Sequence, residues 1–136
     1  ITRTFVRGKV HDEVQRLYDT VLAAQQQALA SIRAGADGGA IHRAVQQLFD
    51  EAGYPTGEID SRMQGYFHGT GHGVGLEIHE APSLGRRADI LAPNQTVTVE
   101  PGLYYAGLGG IRIEDLVVVE TDGYRNLTSF PKQLIL

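Results

Sequence analysis

An α+β fold, with two helices covering one face of a mainly antiparallel sheet, is predicted by three observations. Apolar residues recur at helical spacing as far as Ala52, and from Tyr54 onward they alternate instead. Most of the glycines and all five prolines fall in that second part. Helices first and strands afterwards is the order of an α+β chain. At 136 residues there is enough chain for one domain with a sizeable core and too little for two, so residues 1–136 are read as a single domain.

The elements follow in order. Ile-Thr-Arg-Thr-Phe-Val alternates, giving an opening strand from about Thr2 to Arg7. Val10, Val14, Leu17, Val21, Ala24, Ala28 and Ile32 then form one apolar stripe, with Gln25-Gln26-Gln27 and the charges mostly on other faces. Gly35 is a stop signal, and Asp37 can cap a second helix over about Gly38 to Ala52. That helix buries Ile41, Val45, Leu48 and Phe49, and Gly53 ends it. Strands are expected near Tyr66–His68, Leu76–His79, Thr96–Glu100, Ile111–Glu120 and Gln133–Leu136. No low-complexity linker or internal repeat interrupts them.

Net charge is −4, from 12 basic and 16 acidic residues, and there is no basic run. This argues against nucleic acid or an anionic membrane surface as a partner. No apolar run is long enough to span a bilayer. The absence of cysteine excludes a disulfide framework and a thiolate zinc site, and it fits a reducing compartment such as the cytoplasm.

The segment His68-Gly-Thr-Gly-His72-Gly-Val-Gly-Leu-Glu-Ile-His79 places three of the five histidines within twelve residues, threaded with glycine. Neutral imidazole binds divalent transition metals or steadies a developing oxyanion, whereas an isolated histidine is usually just a satisfied polar residue. Read as a strand, this stretch turns Val74, Leu76 and Ile78 to the core and Glu77 and His79 away. In Thr96-Val-Thr-Val-Glu100, the valines take one face and Thr96, Thr98 and Glu100 the other. In Ile111–Glu120, Arg112 shares a face with Glu114, opposite Ile111, Ile113, Asp115, Val117 and Val119. Either glutamate alone would be an ordinary solvated carboxylate. Arg86-Arg87 reads as a solvated loop, and Thr2-Arg3-Thr4 as plain strand unless it borders the site. One histidine and two glutamates can hold a single divalent ion with a position open for water. A two-metal site carries about four positive charges, and Glu100 with Glu114 offer only two negative ones, so roughly two more carboxylates are wanted.

These motifs together resemble the pita-bread metallopeptidases (family M24), which include methionine aminopeptidases, Xaa-Pro aminopeptidases and Xaa-Pro dipeptidases (prolidases). The resemblance runs from Ile-Thr-Arg-Thr-Phe to Leu-Thr-Ser-Phe-Pro-Lys, and Glu-Pro-Gly-Leu-Tyr with Gly-Ile-Arg-Ile-Glu-Asp resembles the proline-specific branch. It implies that His72, Glu100 and Glu114 are metal ligands, with Glu100 also a general acid/base and Glu114 shared between two ions. It implies that His68 and His79 contact substrate and stabilise the tetrahedral intermediate, and that Arg112 supports the ligands. Two aspartate ligands complete the set in that family, the second just before the segment that matches Ile1, together with an upstream histidine. The expectation is therefore a C-terminal portion of the pita-bread catalytic domain whose N-terminal portion is absent.

The resemblance further implies two divalent ions (Mn, Co or Zn) in an intact parent, a proline-containing peptide as substrate, and water attack on the Xaa-Pro carbonyl. His79 would steady the oxyanion there. For this stretch alone the expectation is little or no activity and metal absent or weakly held, with an open sheet edge inviting a homo-oligomer. A metal-free binding module and a metal-free C–N hydrolase of the creatinase type are the alternatives.

Overall fold

The computed structural model describes residues 1–87 and 89–136. Helix α1 spans Asp12–Ala30 and α2 spans Gly38–Glu51. Nine short strands follow among the described residues: β1 (Gly57–Ile59), β2 (Arg62–Gln64), β3 (Gly71–Gly73), β4 (Glu80–Leu84), β5 (Thr96–Val99), β6 (Gly102–Tyr105), β7 (Gly109–Arg112), β8 (Asp115–Val119) and β9 (Tyr124–Asn126). Five of them form an antiparallel sheet in the order β4-β3-β5-β8-β9, while β1–β2 and β6–β7 are separate hairpins. The α+β expectation holds.

Helix α1 is laid down by its stripe. Leu17, Val21, Ala24 and Ala28 are buried, and Ile32 is buried just past the end of the helix. Val10 and Val14 pack at the margin. The Asp37 carboxylate accepts the Gly39 N–H at 2.8 Å, capping α2 as its position suggested. Ile41, Val45 and Phe49 bury the inner face of α2, with Leu48 only partly covered. Across from the helices, Val97, Val99, Val117 and Val119 supply the sheet side of a single apolar cluster. Each such fully buried side chain contributes roughly 1.5–3 kcal/mol relative to exposure.

Several expected strands take other forms. Thr2–Arg7 is no strand: Thr2 bridges Glu114 and Val6 bridges Ile135, so its partners lie on two different segments and no ladder can propagate. Gln133–Leu136 supplies only that second bridge. Tyr66–His68 lies outside any named strand, with the chain bent at Tyr66 and His68. Ile111–Glu120 breaks at Ile113–Glu114 into β7 and β8, which belong to different sheets, although burial alternates straight through the break.

Leu76–His79 is an exposed loop. Leu76 is 104% and Ile78 72% exposed, opposite to the inward placement that alternation implied. The Glu80 carboxylate accepts the Glu77 N–H at 3.1 Å and packs on Gly75, where a Cβ would collide with it. This local contact competes with extension of β3.

One polar group sits inside the core. Asp115 is fully buried, and its carboxylate accepts from Arg3 Nη2 at 2.7 Å, Gln25 Nε2 at 3.1 Å and Asn126 Nδ2 at 2.9 Å. Lys132 Nζ lies 2.6 Å from it and also donates to Gln25 Oε1 at 2.8 Å. Gln25 is thus fully buried rather than on an outer face. Burial alone would raise the Asp115 pKa, but the bonds from Lys132, Arg3, Asn126 and Gln25 outweigh it and hold the carboxyl below its ordinary range.

Replacing Asp115 by alanine leaves the Arg3 and Lys132 charges without their shared carboxylate, and is expected to cost about 3–5 kcal/mol in urea unfolding. Because the folded-state pKa is lowered, the group's stabilisation is complete at neutral pH and is lost as pH falls through the acidic range. The variant should lack that part of the acid dependence.

Candidate active site

Strand β3 carries His72 between two glycines that have no room for a side chain. A Cβ on Gly71 would be driven into the Thr98 carbonyl, and one on Gly73 into the Ala81 carbonyl. The strand therefore approaches β5 and β4 closely on both sides. Thr98, 3% exposed on β5, receives the His72 N–H at 3.0 Å and donates its hydroxyl to Glu100 Oε1 at 3.0 Å. The Glu100 N–H in turn donates to Thr70 O at 2.7 Å. The His72 backbone and the Glu100 carboxylate are thus held by one residue, and the two side chains converge, with His72 Nε2 3.1 Å from Glu100 Oε1.

That contact has a chemical consequence. His72 Nδ1 lies 3.0 Å from the Gly73 carbonyl, which can only accept, so Nδ1 carries a proton. Nε2 then either donates a second proton to the carboxylate oxygen or turns a lone pair toward it. Two electron-pair donors face each other at this distance stably only with a proton or a cation between them. A backbone carbonyl orienting the other ring nitrogen is the usual support of a metal-binding histidine. The donor types and the convergence of this pair therefore fit a divalent cation.

The other expected residues fall into two groups. The His79 ring lies 4.2 Å from the His72 ring, centroid to centroid, and Arg112 Nη1 lies 3.9 Å from Glu100 Oε2. These join the His72–Glu100 pair. Glu114 leaves the sheet at the same end as Glu100, since Val99↔Asp115 closes the β5–β8 ladder. Its carboxylate, however, accepts from the Thr2 hydroxyl and lies 3.5 Å from the Ile1 nitrogen. Thr2 therefore borders the site rather than serving as plain strand. Among the described residues no cluster of three or more His, Cys, Asp or Glu side chains is gathered for a metal.

His68 pairs with Tyr104, a residue the sequence reading did not single out. His68 Nδ1 lies 2.7 Å from Gly69 O and its Nε2 3.0 Å from Tyr104 Oη. Burial lowers the His68 pKa, only partly offset by the Gly69 carbonyl and Glu100. Burial raises that of Tyr104, with Arg112 opposing. A neutral His68 thus donates from Nδ1 and accepts the Tyr104 hydroxyl at Nε2. Behind it, His42 Nδ1 lies 3.1 Å from both Tyr66 Oη and Thr70 Oγ1, and those two hydroxyls are themselves bonded. His42 and Thr98 were also unforeseen. The spacing of Thr98 and Glu100 on one strand face was the available signal for Thr98, whereas nothing local marked His42.

The sequence profile of metallopeptidase family M24 matches residues 1–121. The chain belongs to that family. Family M24 relatives include an uncharacterised peptidase, YqhT, of Bacillus subtilis, 40% identical over 100% of this chain and 36% of its own length. The Xaa-Pro dipeptidase of Pyrococcus furiosus is 35% identical over 99% of this chain and 37% of its own. Among solved structures, a Xaa-Pro dipeptidase from Bacillus anthracis superposes with a TM-score of 0.87 at 40% identity, covering 98% of this chain and 36% of that one. An X-Pro aminopeptidase from Thermotoga maritima gives 0.87 at 35% identity, with 98% and 36% covered. The chain thus has the pita-bread fold of these M24 proteins, and it spans little more than a third of their length.

His42 and His68 are both held neutral, mainly by burial. With folded-state pKa values below the unfolded one, their contribution to stability is present above about pH 6.5 and is lost as pH falls through the lowered values. A double variant, His42→Asn with His68→Asn, should lose stability less steeply than the parent chain between neutral and mildly acidic pH in thermal melts.

Proposed function

We propose that this chain carries the larger part of the catalytic site of a Xaa-Pro metallopeptidase, acting on dipeptides or peptide N-termini. The observation that carries the reading is the His72 Nε2–Glu100 Oε1 approach of 3.1 Å, with the Nδ1 proton already committed to a carbonyl. The names of the dipeptidase relatives and the family membership support the substrate class.

His72, Glu100 and Glu114 would hold the metal. Divalent ions bound there would supply Lewis acidity toward the scissile carbonyl and an activated water. The chain's own residues do the remaining work. Glu100, steadied by the Thr98 hydroxyl and faced by Arg112, holds a proton and passes it to the departing prolyl nitrogen. His79, on the exposed loop beside His72, is free to turn a ring N–H toward a developing oxyanion. His68 orients through Tyr104, whose hydroxyl it accepts, and contacts the substrate with its ring. Arg112 balances the carboxylate charge.

The charge balance bears on the chain taken alone. Two carboxylates supply too little negative charge for two divalent ions, so the 136 residues by themselves hold metal weakly. A metal-free binding role draws on one observation, the engagement of Glu114 by Thr2. Metal analysis after dialysis against Mn²⁺, on a protein that carries this chain within the full length of its relatives, separates the two.

Hydrolysis of a Xaa-Pro dipeptide with added Mn²⁺ should be absent or slow for the 136-residue chain, and fast for a protein that carries it within the full length of its relatives. Failure of the longer protein to cleave would overturn the peptidase reading, and robust turnover by the short chain would overturn the weak-metal part. Replacing Thr98 by valine preserves shape while removing both hydroxyl bonds. Calorimetric titration with Mn²⁺ should then show roughly tenfold weaker binding, the usual scale for losing a ligand-orienting bond.

A further inference from the structure

We propose that a second cleft, beside the candidate active site, is a binding site for a small organic carboxylate. The cleft encloses about 760 Å³ and includes His68 in its wall but none of His72, Glu100 or Glu114. Its size is that of ordinary small-molecule sites.

Its charge favours an anion. Arg43 and Arg86 line it, against a single carboxylate, Asp50. Asp50 already accepts from Gln46 Nε2 at 3.0 Å. Arg43 reaches Asp37 only at 3.5 Å and with two-thirds of its side chain exposed, a pairing that binds it weakly. Arg86 has no hydrogen-bond or ion-pair partner among the described residues. This concentrates positive charge in a protein whose net charge is −4. The same field acts on His42: burial, then Arg86, His68 and Arg43, all push its imidazole toward the neutral form. His42 spends Nδ1 on Tyr66 and Thr70, and its Nε2 has no partner among the described residues.

The remaining wall selects an organic anion over an inorganic one. Tyr66 and Phe67 line the cleft, and Phe67 is 46% exposed, offering an aromatic face to an apolar body. A carboxylate set between the two guanidinium groups, with its hydrocarbon part on Phe67, would use both features. The inference does not depend on the peptidase reading, because its readout is binding.

Benzoate titrated into the ¹³C- or ¹⁵N-histidine-labelled chain should move the His42 and His68 ring resonances saturably, leaving those of His72 and His79 in place. The Arg43→Gln/Arg86→Gln double variant should bind roughly tenfold or more weakly, the effect of losing one charge-assisted bond or more. Both arginines are on the surface, and unchanged ligand-free resonances of His72 and His79, which lie outside the cleft, will show that the variant is folded. A Phe67→Ala variant should also weaken benzoate binding. The proposal is overturned by benzamide or inorganic phosphate binding as tightly as benzoate, by shifts centred on His72 and His79, or by no saturable shift.

Discussion

The buried Asp115 carboxylate is the constraint on which the arrangement of the other parts depends. It sits with no exposure on β8 and draws in Arg3 from the first residues, Gln25 from α1, Asn126 from β9 and Lys132 from the closing segment. A charge in a low-dielectric interior is tolerable only when each of its acceptor positions is occupied by a well-placed donor. Four other segments of the chain are thereby tied to one carboxylate. Arg3 Nη1 also donates to the Glu114 carbonyl at 2.6 Å, so the same network fixes the backbone of a candidate ligand. The interior charge and the site share one piece of chain.

The site itself is assembled by close approach rather than by a rigid loop. Glycines at 71 and 73 let β3 lie against its neighbours, and Thr98 translates that proximity into two hydrogen bonds, one to the His72 backbone and one to the Glu100 side chain. The imidazole and carboxylate are then preorganised before any ligand arrives, and the cost of their mutual desolvation is borne by the packing of the sheet. Tyr66, Thr70 and His42 extend this order outward as a hydrogen-bonded group that reaches the backbone of Glu100 through the Thr70 carbonyl, and the bonded pair His68–Tyr104 packs edge-on against it, with the Tyr66 and His68 ring centroids 5.4 Å apart.

Helical periodicity was legible because one stripe meets one core. The residues from Leu17 to Ala28 and from Ile41 to Phe49 read correctly since each helix buries a single face. Gln25 did not read correctly: a side chain that would be solvated on any isolated helix is buried because Asp115 and Lys132 need it. Strand reading failed where alternation and pairing part company. Thr2–Arg7 alternates but finds partners on two segments, and Leu76–His79 alternates but is held out in solvent by the Glu80 carboxylate. Alternation reports which face a side chain would take, not whether a neighbouring strand is there to bond.

The sequence by itself determined the class of fold, the two helices, the family and the identity of the residues around the site, because patterning and motif chemistry are written locally. His68, His72, His79, Glu100, Arg112 and Glu114 could all be named from the chain alone. Only the tertiary structure decided which of them meet. His72 and Glu100 converge because Thr98 binds both, His79 joins them through an exposed loop, and Glu114 is taken up by Thr2. It also revealed Tyr104 and His42, whose roles arise from contacts across 36 and 24 residues of chain. Such contacts depend on how sheets and helices pack in space, and no local pattern encodes them.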